Sequence, residues 1–324
     1  MKRSTPLPYA SSSDETLVIA LGGNALRKKG EDFSIDTQYA NVLRSMQNLL
    51  PLFTKGRKIA ITHGNGPQVG VEFHRNILAR EWYPPYPLDV LNANTQGWIG
   101  YLIVNALHQV FQEHGISRAA VGVITRVEVD PKDPAFQNPT KPIGDFYTEE
   151  EAQRLQEVLG LPMREDAGRG WRAVVPSPWP QHVVEAPVIR NLVSQGVVTV
   201  AVGGGGIPVV RQNHGYQGIP AVIDKDRASA VLALEIGARR LIILTEVDQV
   251  YLNFDTPQAQ PLDHLTAAQA AAYLAEGQFP PGNMGPKIEA ALHFLRGGGQ
   301  EVIITSIERA TEALAGTAGT HIHP

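Results

Sequence analysis

The sequence predicts an α/β protein whose central sheet is mainly parallel and is covered by helices on both faces. Short, continuously apolar segments rich in aliphatic residues alternate along the chain with segments of helical periodicity. Continuous rather than alternating apolarity indicates strands that are buried on both faces, as in parallel sheets. The pattern extends over 324 residues, of which 43% are hydrophobic and 19% charged, so the chain is long and apolar enough to bury a large core.

Six apolar segments predict the strands. Each is bounded by glycine or polar residues, and in chain order they span residues 17–21, 58–62, 119–125, 197–202, 241–244 and 301–305. Between them, apolar residues recur at three- and four-residue spacing and predict helices over residues 39–50, 99–110, 228–236 and 288–295. Repeated alternation of strand and helix is the arrangement that produces a parallel sheet.

Residues 130–180 interrupt this alternation. The segment contains eight prolines and a single helical pattern, at residues 149–159. Because it is too long for an ordinary connection, we interpret it as a protruding lid that moves as a stiffened unit about glycine-containing bends. A surface insertion without a role is the alternative interpretation.

Composition and charge exclude several classes of function. The chain has no cysteine, which excludes a disulfide scaffold, a thiol nucleophile and a cysteine-based zinc site. A net charge of −4 provides no overall field for nucleic acid or an anionic membrane, and no apolar stretch approaches the ~20 residues of a membrane span. We therefore expect a cytoplasmic protein with neither partner. Residues 1–16 are interpreted as a flexible leader, and His321 and His323 as part of a polar tail rather than a metal site.

Three glycine-rich turns directly follow predicted strands. They lie at residues 22–24, 63–67 and 203–206. The carboxyl ends of parallel strands form the edge where ligands bind, and bare backbone N–H groups there would form a cradle for phosphate or carboxylate. The turns together predict an anion site, although glycine also serves ordinary strand-to-helix turns.

The common nucleotide-binding and hydrolase motifs do not occur in the sequence. These are the P-loop, G-x-G-x-x-G, the protein-kinase signatures, G-x-S-x-G and H-E-x-x-H. Without a P-loop, the positive charge for phosphate binding must come from individual lysines. Lys225 lies between two aspartates before a helical pattern, and Lys287 follows Pro286, which fits the first position of a helix. Lys141 lies within the proposed lid.

These residues together resemble the carbamate kinases, within the amino-acid-kinase superfamily. The resemblance rests on six ordered motifs, which span residues 21–26, 63–70, 141–144, 203–208, 223–226 and 285–287. It covers nearly the whole chain from Leu17 onward.

The resemblance implies a three-layer α/β/α sandwich with a protruding lid. It implies an N-terminal lobe (17–211) that binds carbamate or carbamoyl phosphate, a nucleotide-binding C-terminal lobe (212–324) and a homodimer. The reaction it implies is reversible, Mg²⁺-dependent phosphoryl transfer from carbamoyl phosphate to ADP, giving ATP and carbamate, which breaks down to ammonia and CO₂. Arginine catabolism is the implied metabolic setting.

The resemblance also implies site residues. The catalytic group consists of Asn24, Lys141, Lys225, Asp226 and Lys287. The substrate and its phosphate would be bound by Gly22, Gly23, Gly64, Asn65, Gly66, Gly204 and Gly205, and the nucleotide ATP or ADP by Thr245, Asp248, Tyr251, Met284, Gly285 and Pro286. Metal ligands stay undetermined. Such equipment suits phosphoryl transfer, in which positioning and charge stabilisation supply most of the rate.

Two residues depart from the family pattern, and two alternatives remain open. Asp145 occupies a place where a proline is expected, and Glu246 is a smaller departure in the nucleotide-side loop. The first alternative is a non-catalytic sensor of carbamoyl phosphate or nucleotide on the same fold. The second is another small-acid kinase, which would carry a lysine just before the first glycine pair, where this chain has Ala20 and Leu21. An oxidoreductase is less favoured because the dinucleotide fingerprint does not occur.

Overall fold

The computed structural model describes residues 15–28, 30–54, 56–166, 168, 170–280 and 282–324. The strands in these residues are β1 (Thr16–Leu21), β2 (Lys58–His63), β3 (Ala120–Gly122), β4 (Arg126–Val129), β5 (Lys141–Tyr147), β6 (Met163–Glu165), β7 (Trp171–Val175), β8 (Pro180–Val183), β9 (Val198–Val200), β10 (Ile207–Gln212), β11 (Gly215–Gly218), β12 (Arg240–Thr245), β13 (Val250–Leu252), β14 (Gln260–Leu262), β15 (His264–Thr266), β16 (Glu301–Ser306) and β17 (Thr320–His323). The α-helices are α1 (Ile35–Asn48), α2 (Leu50–Phe53), α3 (Gly66–Leu78), α4 (Leu88–Glu113), α5 (Glu149–Leu159), α6 (Ala186–Ser194), α7 (Lys225–Glu235), α8 (Ala267–Ala275), α9 (Met284–Arg296) and α10 (Ala310–Leu314).

An eight-stranded sheet forms the centre of this described part, in the order β15-β17-β16-β12-β1-β2-β9-β3. Neighbouring strands are parallel, except that β17 runs antiparallel to β16. The predicted α/β class with a mainly parallel sheet is therefore confirmed. Strands that precede residue 211 form one half of the sheet and later strands the other; the division into two lobes stays a prediction.

Helices cover both faces of the sheet because alternate residues of each central strand point to opposite cores. In β1, Val18 and Ala20 belong to one core, which is completed by α6, α7, α8 and α9. Ile19 and Leu21 belong to the other core, with α1, α4 and α10. Strands that are buried on both sides need continuous apolar sequence, which is why the continuous apolar segments located them.

The structure corrects several expectations from the sequence. The segment 119–125 contributes only Ala120–Gly122 to the sheet, since the Thr125 N–H donates to the side chain of Gln96 instead of to a strand. Helix α9 begins at Met284, so Pro286 is its third residue rather than its first. His321 and His323 lie in β17 of the central sheet, so the expected polar tail is wrong.

The proline-rich excursion contains more regular structure than its single helical pattern indicated. Strands β5, β7 and β6 form a separate antiparallel sheet, on which α5 packs. A small core joins this unit, which we call the lid, to α3 and the start of α4; Val69, Leu91, Ile143 and Val175 are among its members. Strands β4, β8, β10 and β11 form a further four-stranded sheet.

Two other expectations concern the ends and the surroundings of the chain. Residues 1–14 of the expected leader lie outside the described residues. In the described part of the chain, no helix is both long enough and apolar enough to cross a bilayer.

Candidate active site

The candidate site lies at the carboxyl edge of the central sheet, where three helices begin. Helices α3, α7 and α9 follow Asn65, Asp224 and Asn283 as N-cap residues. The Asp224 carboxylate accepts hydrogen bonds from the N–H groups of Asp226 and Arg227, which fixes the start of α7. Helix N-termini carry partial positive charge, so their meeting point favours an anionic ligand.

Lys225 and Lys287 meet at one buried carboxylate, that of Asp226. Asp226 is only 2% exposed; one of its oxygens pairs with Lys225 and the other lies 3.2 Å from Lys287 Nζ. Lys287 Nζ also donates to the carbonyl of Asn283 at 3.2 Å. The structure thus brings together three of the residues predicted from the sequence, from the first turns of two helices.

Lys141 reaches the same cluster from the lid. Its Nζ lies 2.8 Å from Asp224 Oδ2, and its side chain is 22% exposed. The cluster therefore contains three ammonium groups and two carboxylates, with a net charge of +1. The excess positive charge, held among buried carboxylates, is suited to bind a phosphate or carboxylate oxygen.

The pKa values show how closely these groups depend on one another. Burial raises the pKa of Asp224, but the charge and hydrogen bond of Lys141 and the charges of Lys287 and Lys225 together hold it well below its usual range. Burial lowers the pKa of Lys225, against the opposing effect of Asp226. Burial also acts to lower the pKa of Lys287, but Asp226, Asp224 and Glu246 more than offset it and raise that pKa. Asp226 is therefore the carboxylate that Lys225 and Lys287 share, and its role in organising the lysines for catalysis stays a prediction.

The first two glycine turns make room for neighbouring protein atoms and leave backbone open to a ligand. A Cβ on Gly64 would lie 3.2 Å from Cδ of Lys225, and one on Gly22 would lie 2.6 Å from the Leu244 carbonyl oxygen. Gly23 and Gly66 face open space, where a ligand can approach the backbone. Asn24 belongs to the same turn, but its side chain lies outside the described part of the structure.

The turn at residues 203–206 packs closely against neighbouring residues of the protein. Gly204 and Gly205 have positive φ angles of 65° and 88°, and a Cβ there would lie 2.3 Å from the Asn65 side chain and the Ile223 carbonyl oxygen, respectively. Val202, which precedes the turn, has φ 52°, a strained conformation for a β-branched residue. These glycines permit close packing behind the site; contact with the ligand stays a prediction.

A polar network on α4 supports the turns and was missed in the sequence. The Asn65 amide nitrogen donates to Asn92 Oδ1 at 3.0 Å and to Thr95 Oγ1 at 2.9 Å. Gln96 Nε2 donates to the carbonyl oxygens of Thr125 and Gly203. The available signal was three buried polar residues at positions 92, 95 and 96 of an otherwise apolar helix face.

His63 is buried beneath the second glycine turn. Its Nδ1 lies 3.0 Å from the Gly64 carbonyl oxygen, and burial lowers the pKa of its imidazole to about 4. The positive charge of Lys225 lowers this pKa further, whereas the hydrogen bond to Gly64 raises it. His63 is therefore a neutral supporting residue at neutral pH.

The predicted nucleotide residues lie in two places. Met284, Gly285 and Pro286 form the first turn of α9, beside Lys287. Asp248 and Tyr251 line a cavity of about 400 Å³ on the β12–β13 side, and Thr245 and Glu246 line another of about 260 Å³ with Gly22. The Asn253 N–H donates to Gln278 Oε1 at 3.1 Å, which holds the β13–β14 hairpin to the loop before α9.

Asp145 lies in β5 where that strand departs from its pairing with β7. Its side chain is exposed, and after burial its charge is the next cause of the raised pKa of Tyr147. The carboxylates that contact the lysine cluster are those of Asp224 and Asp226.

Comparison with known proteins gives one consistent result. A sequence model described as "Amino acid kinase family" matches residues 15–306. The chain is 45% identical to a carbamate kinase of Pyrococcus horikoshii, over 96% of this chain and 99% of that one, and 46% identical to carbamate kinase 2 of Staphylococcus aureus, over 95% and 99%. The structure of a Giardia lamblia carbamate kinase bound to AMP-PNP superposes with a TM-score of 0.88 at 42% identity, covering 96% of this chain and 99% of that one.

Proposed function

The chain belongs to the amino acid kinase family, and from that membership we propose that it is a carbamate kinase. It transfers the phosphoryl group of carbamoyl phosphate to the terminal phosphate of ADP, which yields ATP and carbamate, and it catalyses the reverse reaction. Carbamate then decomposes to ammonia and CO₂. The observation that carries the proposal is the meeting of Lys141, Lys225 and Lys287 around Asp224 and Asp226, in a chain about 45% identical to carbamate kinases.

Charge and position account for the chemistry. During transfer, negative charge spreads over the three equatorial oxygens of the phosphoryl group, and donor and acceptor oxygens lie roughly in line. Lys225 and Lys287 approach from two helices and are held at one carboxylate, so they are positioned before substrate arrives. Preorganised charges of this kind stabilise the transition state without reorganisation. No covalent nucleophile is needed.

Lys141 extends this arrangement from the lid. Because the side chain pairs with Asp224 at the start of α7, a closed lid places a third ammonium group beside the other two. Closure would also exclude water from the transferring group, which would otherwise hydrolyse it. We infer that the conformation described here resembles the closed state.

We infer that Mg²⁺ binds together with the nucleotide. Both oxygens of Asp226 are paired with lysines, while Asp224 accepts two backbone N–H groups and Lys141. Since lysines and backbone N–H groups already engage these carboxylates, we infer that Mg²⁺ is held chiefly by phosphate oxygens and by the waters that this ion usually retains. When bound, the ion neutralises phosphate charge.

The nucleotide is proposed to bind beside α9. The first turn of α9, residues Met284 to Pro286, adjoins Lys287, and the N-terminus of this helix favours phosphate. The AMP-PNP complex of the Giardia lamblia protein supports a nucleotide site in this fold.

A homodimer is also part of the proposal. Edge strand β3 is flanked by two exposed apolar side chains, Tyr101 (62%) and Ile124 (52%), which line one cavity with Gly122. A second copy that covered this edge would bury both side chains and protect the outer edge of β3. Light scattering at several protein concentrations tests it. The cytoplasmic location and the place in arginine catabolism stay predictions.

The test is production of ATP. Purified protein is mixed with ADP, Mg²⁺ and freshly prepared carbamoyl phosphate, and ATP is followed with a coupled assay, with acetyl phosphate as an alternative donor. We expect ATP from carbamoyl phosphate and far less from acetyl phosphate. Folded protein that binds ADP and carbamoyl phosphate but forms no ATP would instead indicate the sensor, and preference for another acid as phosphoryl acceptor would indicate a different small-acid kinase.

A further inference from the structure

Three histidines and a glutamate share one face of the central sheet, on strands β15, β17 and β16. His321 and His323 are two residues apart in β17, so both point to the same face. Glu301 begins the neighbouring strand β16, and His264 of β15 pairs in register with His321. Sheet geometry therefore places four potential metal-ligating side chains side by side.

The donor atoms of three of these residues lie close together. Glu301 Oε1 lies 2.7 Å from His321 Nδ1 and 3.9 Å from His323 Nε2. One ligand atom from each of these three residues lies within 4.8 Å of the other two. Arg240 Nη1 lies 3.6 Å from Oε2 of the same carboxylate, which leaves Oε1 directed at the two imidazoles.

The hydrogen bonds of His321 leave one ring nitrogen for a cation. Nε2 lies 3.0 Å from the Ala318 carbonyl oxygen, so this nitrogen carries the proton of a neutral imidazole and donates it. Nδ1 then presents its lone pair to the Glu301 carboxylate, and two acceptors face each other at 2.7 Å. Only a cation between them, a proton or a metal ion, makes this contact favourable. A backbone carbonyl that fixes the other nitrogen is the usual outer partner of a metal-bound histidine.

We propose that Glu301, His321 and His323 bind a divalent transition-metal ion of the zinc class, with His264 or water as the fourth ligand. Two imidazoles and one carboxylate form a nitrogen-rich donor set that suits Zn²⁺ and its neighbours rather than Mg²⁺ or Ca²⁺. The His264 ring lies 5.3 Å from that of His321 and 6.1 Å from that of His323, centroid to centroid, within reach of a side-chain rotation. His264 is exposed, so the ion has a path of entry.

The proposed metal site is separate from the phosphate site. Glu301 lies at the amino end of β16, and this six-residue strand runs roughly 17 Å from there to the carboxyl edge of the sheet, where the lysine cluster lies. A bound ion would tie three strands together at the end of the sheet, which is a structural role.

Calorimetric titration with ZnCl₂ tests the proposal. Full-length, tag-free protein is treated with a chelator, exchanged into nucleotide-free buffer and titrated in the presence of excess Mg²⁺. We expect one saturable Zn²⁺ site per chain and a higher melting temperature with Zn²⁺. His323→Ala should weaken Zn²⁺ binding about 10- to 100-fold or more, and His264→Ala should weaken it less.

The chain offers a matched control in another histidine–glutamate pair. His182 Nδ1 lies 2.6 Å from Glu235 Oε1, in β8 and α7. His182→Ala should leave Zn²⁺ affinity unchanged. Any of three results would overturn the proposal: no saturable Zn²⁺ site in the wild-type protein, equal Zn²⁺ affinity in the folded His323→Ala and wild-type proteins, or displacement of Zn²⁺ by Mg²⁺. The cation between His321 and Glu301 would then be a proton.

Discussion

The Nζ atom of Lys141 lies 2.8 Å from Oδ2 of Asp224, a contact that joins the lid to the first turn of α7. Asp224 also caps that helix through its other oxygen. One carboxylate therefore fixes both the position of Lys225, the next residue, and the position of the lid. When a phosphate enters, Lys141 can exchange this carboxylate for a phosphate oxygen while remaining at the site.

We expect Lys141→Ala to weaken substrate binding and reduce turnover together. The substitution removes an ammonium group from the cluster and the ion pair that holds the lid against α7. Hydrogen exchange across β5 and β7 should accelerate in the variant, and ligand should restore less protection than in wild type. Lys132→Ala, which removes an exposed lysine at the base of the same excursion, is the control. Normal kinetics and unchanged protection in Lys141→Ala would show that the excursion is a passive insertion.

Lys225→Ala and Lys287→Ala should each reduce kcat strongly in a folded protein. Loss of one positioned electrostatic group lowers the rate typically ~10²–10³-fold, about 3–4 kcal/mol of transition-state stabilisation. Circular dichroism and thermal unfolding check the fold, and steady-state kinetics measure kcat and KM separately. A lysine whose removal leaves turnover near normal has no part in the transfer step.

The sequence predicted much of this arrangement because the relevant signals are local. Three signals can be recognised without knowledge of tertiary contacts: the continuous apolar segments of the buried strands, the glycine turns and the Asp224-Lys225-Asp226 segment. It could not show that Lys141 pairs with Asp224, because 83 residues separate them in the chain. Nor could it place His321 and His323 in a strand, since β17 is short and its pairing with β16 and β15 is entirely non-local.

The glycines illustrate a second limit of prediction from sequence. The sequence predicts that residues 203–206 bind phosphate, which stays a prediction, and the structure shows in addition that Gly204 and Gly205 pack closely against the side chain of Asn65 and the carbonyl of Ile223. A glycine that admits a ligand and one that admits a neighbouring segment have the same sequence signature. Only the three-dimensional contacts distinguish the two, as they do for the support that Gln96 gives to this turn.

Stability should fall as the pH is lowered from about 6.5 to 4, in part because of His63. The pKa of the buried imidazole is about 4, while an unfolded histidine titrates near 6.5, so in this window the unfolded chain binds a proton that the folded chain does not. The contribution is about 3 kcal/mol of unfolding free energy across the window. Denaturant unfolding of wild type and His63→Gln at several pH values isolates it, since the other histidines are common to both proteins.

The expected sign for His63 is specific. Burial acts to lower the pKa of His321, but its hydrogen bond and charge interaction with Glu301 and its hydrogen bond to Ala318 together raise it, so its contribution to stability is present at low pH and lost as the pH rises. The two residues therefore act in opposite directions. If the unfolding free energy of His63→Gln depends on pH as steeply as that of wild type, the assignment to His63 is contradicted. His214 is exposed, so His214→Ala serves as the control substitution.

Asp145→Pro should leave the affinity of the protein for carbamoyl phosphate unchanged or increase it. Asp145 is exposed and lies in the irregular part of β5, between the paired residues Ile143 and Tyr147, so a proline there breaks no ladder pairing. Removal of the negative charge should also lower the pKa of Tyr147. Asp145→Asn separates charge from backbone effects. If calorimetry shows that a carbamoyl-phosphate analogue binds Asp145→Pro more weakly than wild type, the Asp145 carboxylate instead helps the lid to bind substrate.

The contact between Gly70 and Gly144 gives the sharpest test of how the lid docks. A Cβ added to Gly70 in α3 would lie 2.0 Å from the N and Cα atoms of Gly144 in β5, and backbone atoms cannot move aside as a side chain can. Gly70→Ala should therefore push β5 away from α3 and draw Lys141 from Asp224. We expect a raised KM, a reduced kcat and faster hydrogen exchange in β5, with the central sheet unaffected.

A second helical glycine separates this steric effect from the general effect of alanine. Gly97 lies within α4, and a Cβ there would meet nothing within 4 Å. Gly97→Ala should therefore stabilise the protein by roughly 0.5–1 kcal/mol, because alanine favours helix, and should keep normal kinetics. If Gly70→Ala behaves in the same way, the lid does not need its close contact with α3, and the positioning of Lys141 must depend on the ion pair with Asp224 alone.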